Sequence, residues 1–276
     1  MGIVMTKKIT KAFKKMIRGY IPYGVSKVFH SKSQKLAYYR YIMDHGDAHH
    51  LFLFGYEYDD FNVQIYKDKA NGLPYVMLPN STKRLYFKRG MSERKIAKLF
   101  KSLVMEQDPR SPHRYFDSIQ EFKGKVLLDI GSAEGILSLM AIEQVEHVFL
   151  FECEENWKEA LQKTFEPWKD KITIIPKYVG SQDDETTVKL DTFFQDKPVS
   201  NLFLKMDIEG MEREALAGAK HLFSKKGNVS FAVCTYHRRD DLKVISSFLD
   251  HYKCLYTSQE AYWSHRMKSV MLRGHN

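Results

Sequence analysis

The run Asp129-Ile130-Gly131-Ser132-Ala133-Glu134-Gly135 follows a short apolar segment, Val126-Leu127-Leu128, and opens a helical stretch. Glycines at such a turn let the backbone bend sharply and come close to a ligand. The spacing D-x-G-x-x-x-G departs from the G-x-G-x-x-G turn that seats a pyrophosphate on a helix N-terminus. Asp129 and Glu134 would repel a phosphate and suit a ligand with a positive amino group. Glu152 ends a second apolar run, 23 residues after Asp129. A carboxylate there can take two ribose hydroxyls. Ribose, a cationic amino acid and no phosphate together describe S-adenosylmethionine.

A second group of candidates follows Leu202–Met206, in Asp207-Ile208-Glu209-Gly210-Met211-Glu212. Methyl transfer to a hydroxyl needs an aligned acceptor and a group to take its proton. Asp207 or Glu209 could take that proton, orient the acceptor, or ligate a divalent cation through oxygen. Glu212 and Glu214 equally suit the dipole at a helix N-terminus. His237 follows a further apolar run and could act as a base near its usual pKa of about 6.5, or simply sit in solvent. The polar segment 106–115 carries Pro109 and Pro112 and reads as a rigid linker, with Arg110 and Arg114 available to anionic groups.

These residues need elements to hold them. From Gly124 onward, apolar runs at 126–128, 147–151, 172–175, 202–206 and 229–235 alternate with helical stretches at 135–144, 155–165, 212–223 and 239–250. Continuous apolar strands separated by helices predict a parallel sheet covered on both faces. Only a loop separates 253–257 from 267–272, too short for a helical crossover, so the chain should end in an antiparallel hairpin. The fold class expected is therefore α/β: a Rossmann-like, mostly parallel seven-stranded sheet with an antiparallel C-terminal hairpin. Ahead of it lie a basic helical segment (1–50) and a small strand-rich annex (51–120), with the main domain at 121–276. In the annex, apolar runs at 51–54, 63–66, 75–78 and 85–87 are punctuated by Asn71-Gly72 and Pro79-Asn80. Ser92 is expected to cap a helix reaching about residue 105.

The motifs at 126–135 (VLLDIGSAEG), 151–156 (FECEEN) and 204–212 (LKMDIEGME), with Leu190-Asp191, Leu216, Gly218, Ala219 and His237, resemble the FkbM-type methyltransferases of the class I S-adenosylmethionine-dependent fold. The likeness spans about 124–240. It implies O-methylation of a hydroxyl on a small-molecule or glycan acceptor. It also implies cofactor positions at Asp129, Gly131, Ser132, Gly135 and Glu152, with Asp207, Glu209 and His237 facing the reaction. Three residues depart from the family pattern. Ala133 stands where Asn is usual, Glu134 where an apolar residue is common, and Cys153 where Pro is usual.

Charge speaks to a different question. The 276 residues carry 43 Lys+Arg against 34 Asp+Glu, a net charge of +9, and residues 1–50 supply +8 of it. Ile9, Phe13, Met16, Ile17 and Tyr20 fall on one face of a helix whose remainder is Lys7, Lys8, Lys11, Lys14, Lys15 and Arg18. Pro22 and Gly24 are expected to end it, with a second helix over about 26–44. Such a segment can rest on the body with its lysines in water, touch an anionic membrane surface through 7–20, or bind nucleic acid. The absence of an Asp/Asn-Pro-Pro-Tyr/Phe element and of a Pro-Cys dipeptide argues against a nucleic-acid substrate. Cys153, Cys234 and Cys254 form no C-x-x-C pair and read as core filler in a reducing, cytoplasmic protein. No run approaches the ~18 apolar residues of a spanning helix. Two other functions stay open: a nicotinamide-dependent oxidoreductase, and a non-catalytic membrane-surface protein on the same fold.

Overall fold

The computed structural model describes residues 10–33, 35–48, 50–197 and 200–276. Lys7, Lys8 and Ile9 of the expected basic helix lie outside them. In chain order the strands are β1 (His50–Leu51), β2 (Tyr66–Lys67), β3 (Pro74–Met77), β4 (Arg84–Tyr86), β5 (Val126–Ile130), β6 (His147–Phe151) and β7 (Ile172–Ile175). There follow β8 (Tyr178–Val179), β9 (Thr187–Val188), β10 (Leu202–Met206), β11 (Val229–Cys234), β12 (Leu255–Trp263) and β13 (Arg266–His275).

The main sheet has the order β1-β12-β13-β11-β10-β5-β6-β7. From β11 to β7 the strands are parallel, while β13, β12 and β1 are antiparallel to their neighbours. The α/β sheet with its terminal hairpin is as expected, but β1 makes it eight-stranded rather than seven. His50 and Leu51 pair with Trp263 and Tyr262, supplying hydrogen bonds to an edge that would otherwise be bare. The hairpin is also longer than its apolar residues suggest. It turns at Ser264 and His265, both with positive φ (51° and 62°), the two-residue turn whose twist matches that of the flanking strands.

Helices cover both faces, so every residue of β10 is buried. One face carries helices Ile136–Ala141 and Glu155–Thr164. Their Leu137, Leu139, Trp157 and Leu161 join Leu127, Val148 and Phe203 of the sheet. The other carries Glu212–Ala217, Lys220–Ser224 and Asp241–His251 over Leu128, Leu204 and Phe231. The stretch read as one helix over 212–223 is two, because the chain passes so close at Gly218 that a Cβ there would lie 2.0 Å from the Gly180 carbonyl.

The annex contributes a three-stranded antiparallel sheet, β2-β3-β4, and helix Glu93–Glu106. Ser92 has N-cap backbone geometry, but its side chain makes no capping bond. Phe87, Ile96 and Phe100 from this region share one buried cluster with Leu127 and Leu150 of the main sheet.

The first helix does not end at Pro22. Residues 10–15 are helical, Met16–Tyr20 forms a π-turn, and helix Ile21–Phe29 continues with Pro22 in its first turn. Proline lacks a donor, but first-turn donors after a register break need none. The next helix is Lys35–His45, not 26–44. Of the cysteines, Cys234 and Cys254 are buried as expected of filler, whereas Cys153 is exposed.

Candidate active site

Winding reverses between β5 and β10, and such a switch point opens a crevice at the carboxyl ends of the strands. Ile130 pairs with both Phe151 and Met206, so Gly131, Glu152 and Asp207 leave the sheet side by side. Gly131 has φ +75°, and a Cβ there would lie 2.1 Å from the Asp207 carbonyl oxygen, so only glycine fits. Gly135 has φ +79°, and a Cβ there would press on the Phe165 ring at 2.9 Å. Its role is thus to let the loop enter helix Ile136–Ala141 against its neighbours. Ala133 is left-handed as well, with φ +46°. Asn tolerates that region better than Ala, a physical reason for the Asn usual in the FkbM pattern.

An open cleft of about 380 Å³ lies at this edge. Gly131, Glu152, Asp207 and Glu209 line it, together with the apolar Phe151, Tyr178, Ile208 and Met211. The Glu152 carboxylate accepts from the Ala133 N–H at 2.9 Å and the Glu154 N–H at 2.7 Å. Each oxygen keeps capacity for another donor. Ser132 is buried, and its Oγ has no protein partner, leaving a polar atom in the loop for a ligand to satisfy.

Asp129 does not line the cleft. It is 1 % exposed, accepts from Ser138 Oγ at 2.6 Å, and sits 3.1 Å from Lys205 Nζ. Lys205 also donates to the Gly131 carbonyl at 2.5 Å. The positive partner inferred for Asp129 from the sequence is therefore this internal ammonium, because a lysine pointing off a buried strand must meet a counter-charge. Glu134 likewise turns inward, and burial pushes its pKa up to about 7.

Asp207 is the hub of a polar cluster. Tyr115 donates to Oδ2 at 2.9 Å and Tyr236 to Oδ1 at 3.1 Å, and His237 Nε2 stands 3.4 Å from Oδ1. Burial opposes its ionisation, but the Lys205 charge and these donors outweigh it and hold its pKa below the ordinary carboxylate value. His237 Nδ1 lies 2.9 Å from Oε1 of the fully buried Glu212. The same oxygen accepts from the Ile208 N–H. Burial favours the neutral imidazole, but the Glu212 hydrogen bond and the charges of Glu212, Asp207 and Glu209 prevail and raise its pKa above 6.5. Glu209 has φ +55°, and its side chain is 94 % exposed, 3.7 Å from His237 Nε2.

Behind this group lies His113, buried and stacked on Trp263 with ring centroids 5.0 Å apart. Burial lowers its pKa to about 4, and raises that of nearby Glu106 to about 8. Tyr115, Tyr236 and Lys205 are the site residues that sequence reasoning missed. Only Lys205 carries a signal, a lone cation inside a continuous apolar strand. Arg110 is engaged by Asp108 and Glu57, as a linker residue would be. Among the described residues, Asp207, Glu212 and His237 bring ligand atoms within 4.8 Å of one another, and so do His113, Asp207 and Cys234. Glu209 belongs to neither group.

A mostly parallel sheet with its switch point at β5/β10 and a terminal antiparallel hairpin is the Rossmann-like α/β architecture expected from the sequence. Residues 147–256 match the family model of the Methyltransferase FkbM domain. No curated protein matches the sequence. Among solved structures, the FkbM methyltransferase from Methylobacillus flagellatus KT is similar at 18% identity and TM-score 0.47, over 67% of this chain and 56% of that one. A putative methyltransferase from Streptococcus mutans, in complex with SAH, is similar at 10% identity and TM-score 0.42, over 56% of this chain and 93% of that one. A putative tRNA (m1A22) methyltransferase from Streptococcus pneumoniae is similar at 18% identity and TM-score 0.40, over 57% and 68%. This chain thus spans little more than half the length of the Methylobacillus chain.

Proposed function

We propose that this protein is an S-adenosylmethionine-dependent O-methyltransferase acting on a hydroxyl of a glycan or small molecule. The observation that carries the reading is a cleft lined by both Glu152 and Asp207, with His237 beside Asp207 and Glu212 in turn beside His237. The charged lining comprises Glu152, Glu154, Asp207 and Glu209 against the single Lys177. That set suits a cationic, phosphate-free ligand and disfavours a pyrophosphate-bearing nicotinamide cofactor.

S-adenosylmethionine, when bound, supplies an electrophilic methyl group on a sulfonium. Glu152 would take the ribose hydroxyls, and Phe151, Tyr178 and Ile208 would offer surfaces to the adenine. Asp207, committed to two phenol donors and a neighbouring cation, is a weak proton acceptor and supplies negative charge instead. His237 is the better base. It would take the acceptor's proton on Nε2 as the methyl group passes from sulfur to oxygen and S-adenosylhomocysteine leaves, while Glu212 at Nδ1 would fix the ring and stabilise the imidazolium. Glu209, exposed at the mouth, is available to orient the acceptor.

S-adenosylhomocysteine should raise the melting temperature of the protein, and Glu152→Ala should abolish the shift while the unliganded melting point shows the variant folded. Absence of a shift with folded wild-type protein would overturn the assignment.

A further inference from the structure

The helix formed by residues 10–29 has three faces. Buried Gly19 packs on Ile42 and Met43 of helix Lys35–His45. A second face carries Lys11, Lys14, Lys15 and Arg18. The third is apolar and uncovered: Phe13, Ile17, Tyr20, Ile21, Val25 and Val28 are each exposed, Val28 to 75%.

The π-turn aligns this third face. Successive residues rotate about 100° around an α-helix. A plain α-helix would carry Ile21, Val25 and Val28 out of line with Phe13, Ile17 and Tyr20. In the π-turn the Ile21 N–H reaches back to the Met16 carbonyl, which inserts one residue and returns the second half to register. A helix that spends a register break on keeping an apolar stripe straight is shaped for a flat apolar medium.

Three further observations select that medium. Residues 1–43 hold ten Lys or Arg and no acid, so the stripe is flanked by an excess of positive charge, of which Arg18 is paired with Asp47. A second copy laid on it would oppose like charges, and nucleic acid would leave the stripe in water. Among the described residues no helix is long and apolar enough to cross a membrane, so the stripe can lie on a bilayer but not span it.

The helix is also fastened where the chemistry is. β12 and β11 both run antiparallel to β13, so Trp263 stands at the same sheet edge as Asp207 and His237. Asp47 holds Arg18 and the Tyr262 hydroxyl together there, and Trp263 packs on Tyr236, with centroids 4.9 Å apart.

We infer that residues 10–29 dock this protein on an anionic lipid surface, with the carboxyl edge of the sheet beside it. The docking stands independently of the methyl-transfer reading. A membrane-borne acceptor is its corollary and rests on that reading.

The test is co-sedimentation of the full chain with vesicles of phosphatidylcholine alone or mixed with phosphatidylglycerol. Wild type should bind the mixed vesicles at least about tenfold more tightly, and high salt should release it. Ile17→Ser/Val28→Ser and Lys11→Glu/Lys14→Glu should each weaken binding about tenfold at an unchanged melting temperature, since these side chains are exposed. Failure of wild type to sediment with mixed vesicles, or equal binding by the stripe variant, would overturn the inference. So would a dimer, without vesicles, that the stripe variant disperses. A thermal shift with S-adenosylhomocysteine alongside negative sedimentation would reject the docking and leave the methyl-transfer reading in place.

Discussion

His237 owes its chemistry to what surrounds it. With a pKa raised above 6.5 by Glu212, Asp207 and Glu209 against the pull of burial, it holds its proton to higher pH than an ordinary histidine does. The free-base form needed for proton uptake grows in only as pH passes that raised value. The ion pairing stabilises the fold fully below the ordinary histidine value and is lost as pH climbs through the folded one. A histidine NMR titration should therefore show one ring, absent in His237→Ala, with a midpoint above 6.5. Glu212→Gln should move that midpoint down. An unmoved midpoint would remove Glu212 from its positioning role. The residue types Glu152, Asp207 and His237 were legible from their places after apolar runs. Tyr115 lies 92 residues from Asp207, and nothing local marks it.

Loop 131–135 shows how an element's geometry sets residue choice. Three of its members, Gly131, Ala133 and Gly135, have positive φ. Gly131 also has the Asp207 carbonyl where a side chain would begin. Gly131→Ala should cost about 2 kcal/mol or more in urea denaturation, because strain and overlap combine, and should weaken S-adenosylhomocysteine binding as well. Strand and helix alternation was readable because apolar runs and amphipathic periods are local signals. The π-turn and the continuation through Pro22 were not. Proline's usual meaning as a stop depends on the helical register around it, and that register is set by packing against Ile42 and Met43.

Over the whole chain, the annex and the sheet are joined by one buried cluster running from Phe87 and Phe100 to Leu127 and Leu150. Phe87 is completely buried in it. Phe87→Ala should cost about 3–5 kcal/mol and lower the melting point of the entire chain. Far-UV circular dichroism and tryptophan fluorescence should report coincident transitions, whereas two separated ones would mean that the annex and the sheet unfold independently. Composition suggested a separate basic segment at 1–50, and β1 ties the end of that segment to Tyr262 and Trp263 of the main sheet.

Local pattern sufficed for the strands of the parallel sheet, the glycine loop and the carboxylates at strand ends, since each follows from periodicity or from one turn's stereochemistry. Pattern also located the charge in the first fifty residues. Which carboxylate faces the cleft and which meets an internal lysine was beyond it. Asp129 and Asp207 both follow apolar runs, but side chains alternate along a strand, and Lys205 on the neighbouring strand captures Asp129. The partners of Asp207 come from the segment before the sheet and from the end of β11. They meet only because the fold closes chain segments far apart in sequence around one switch point.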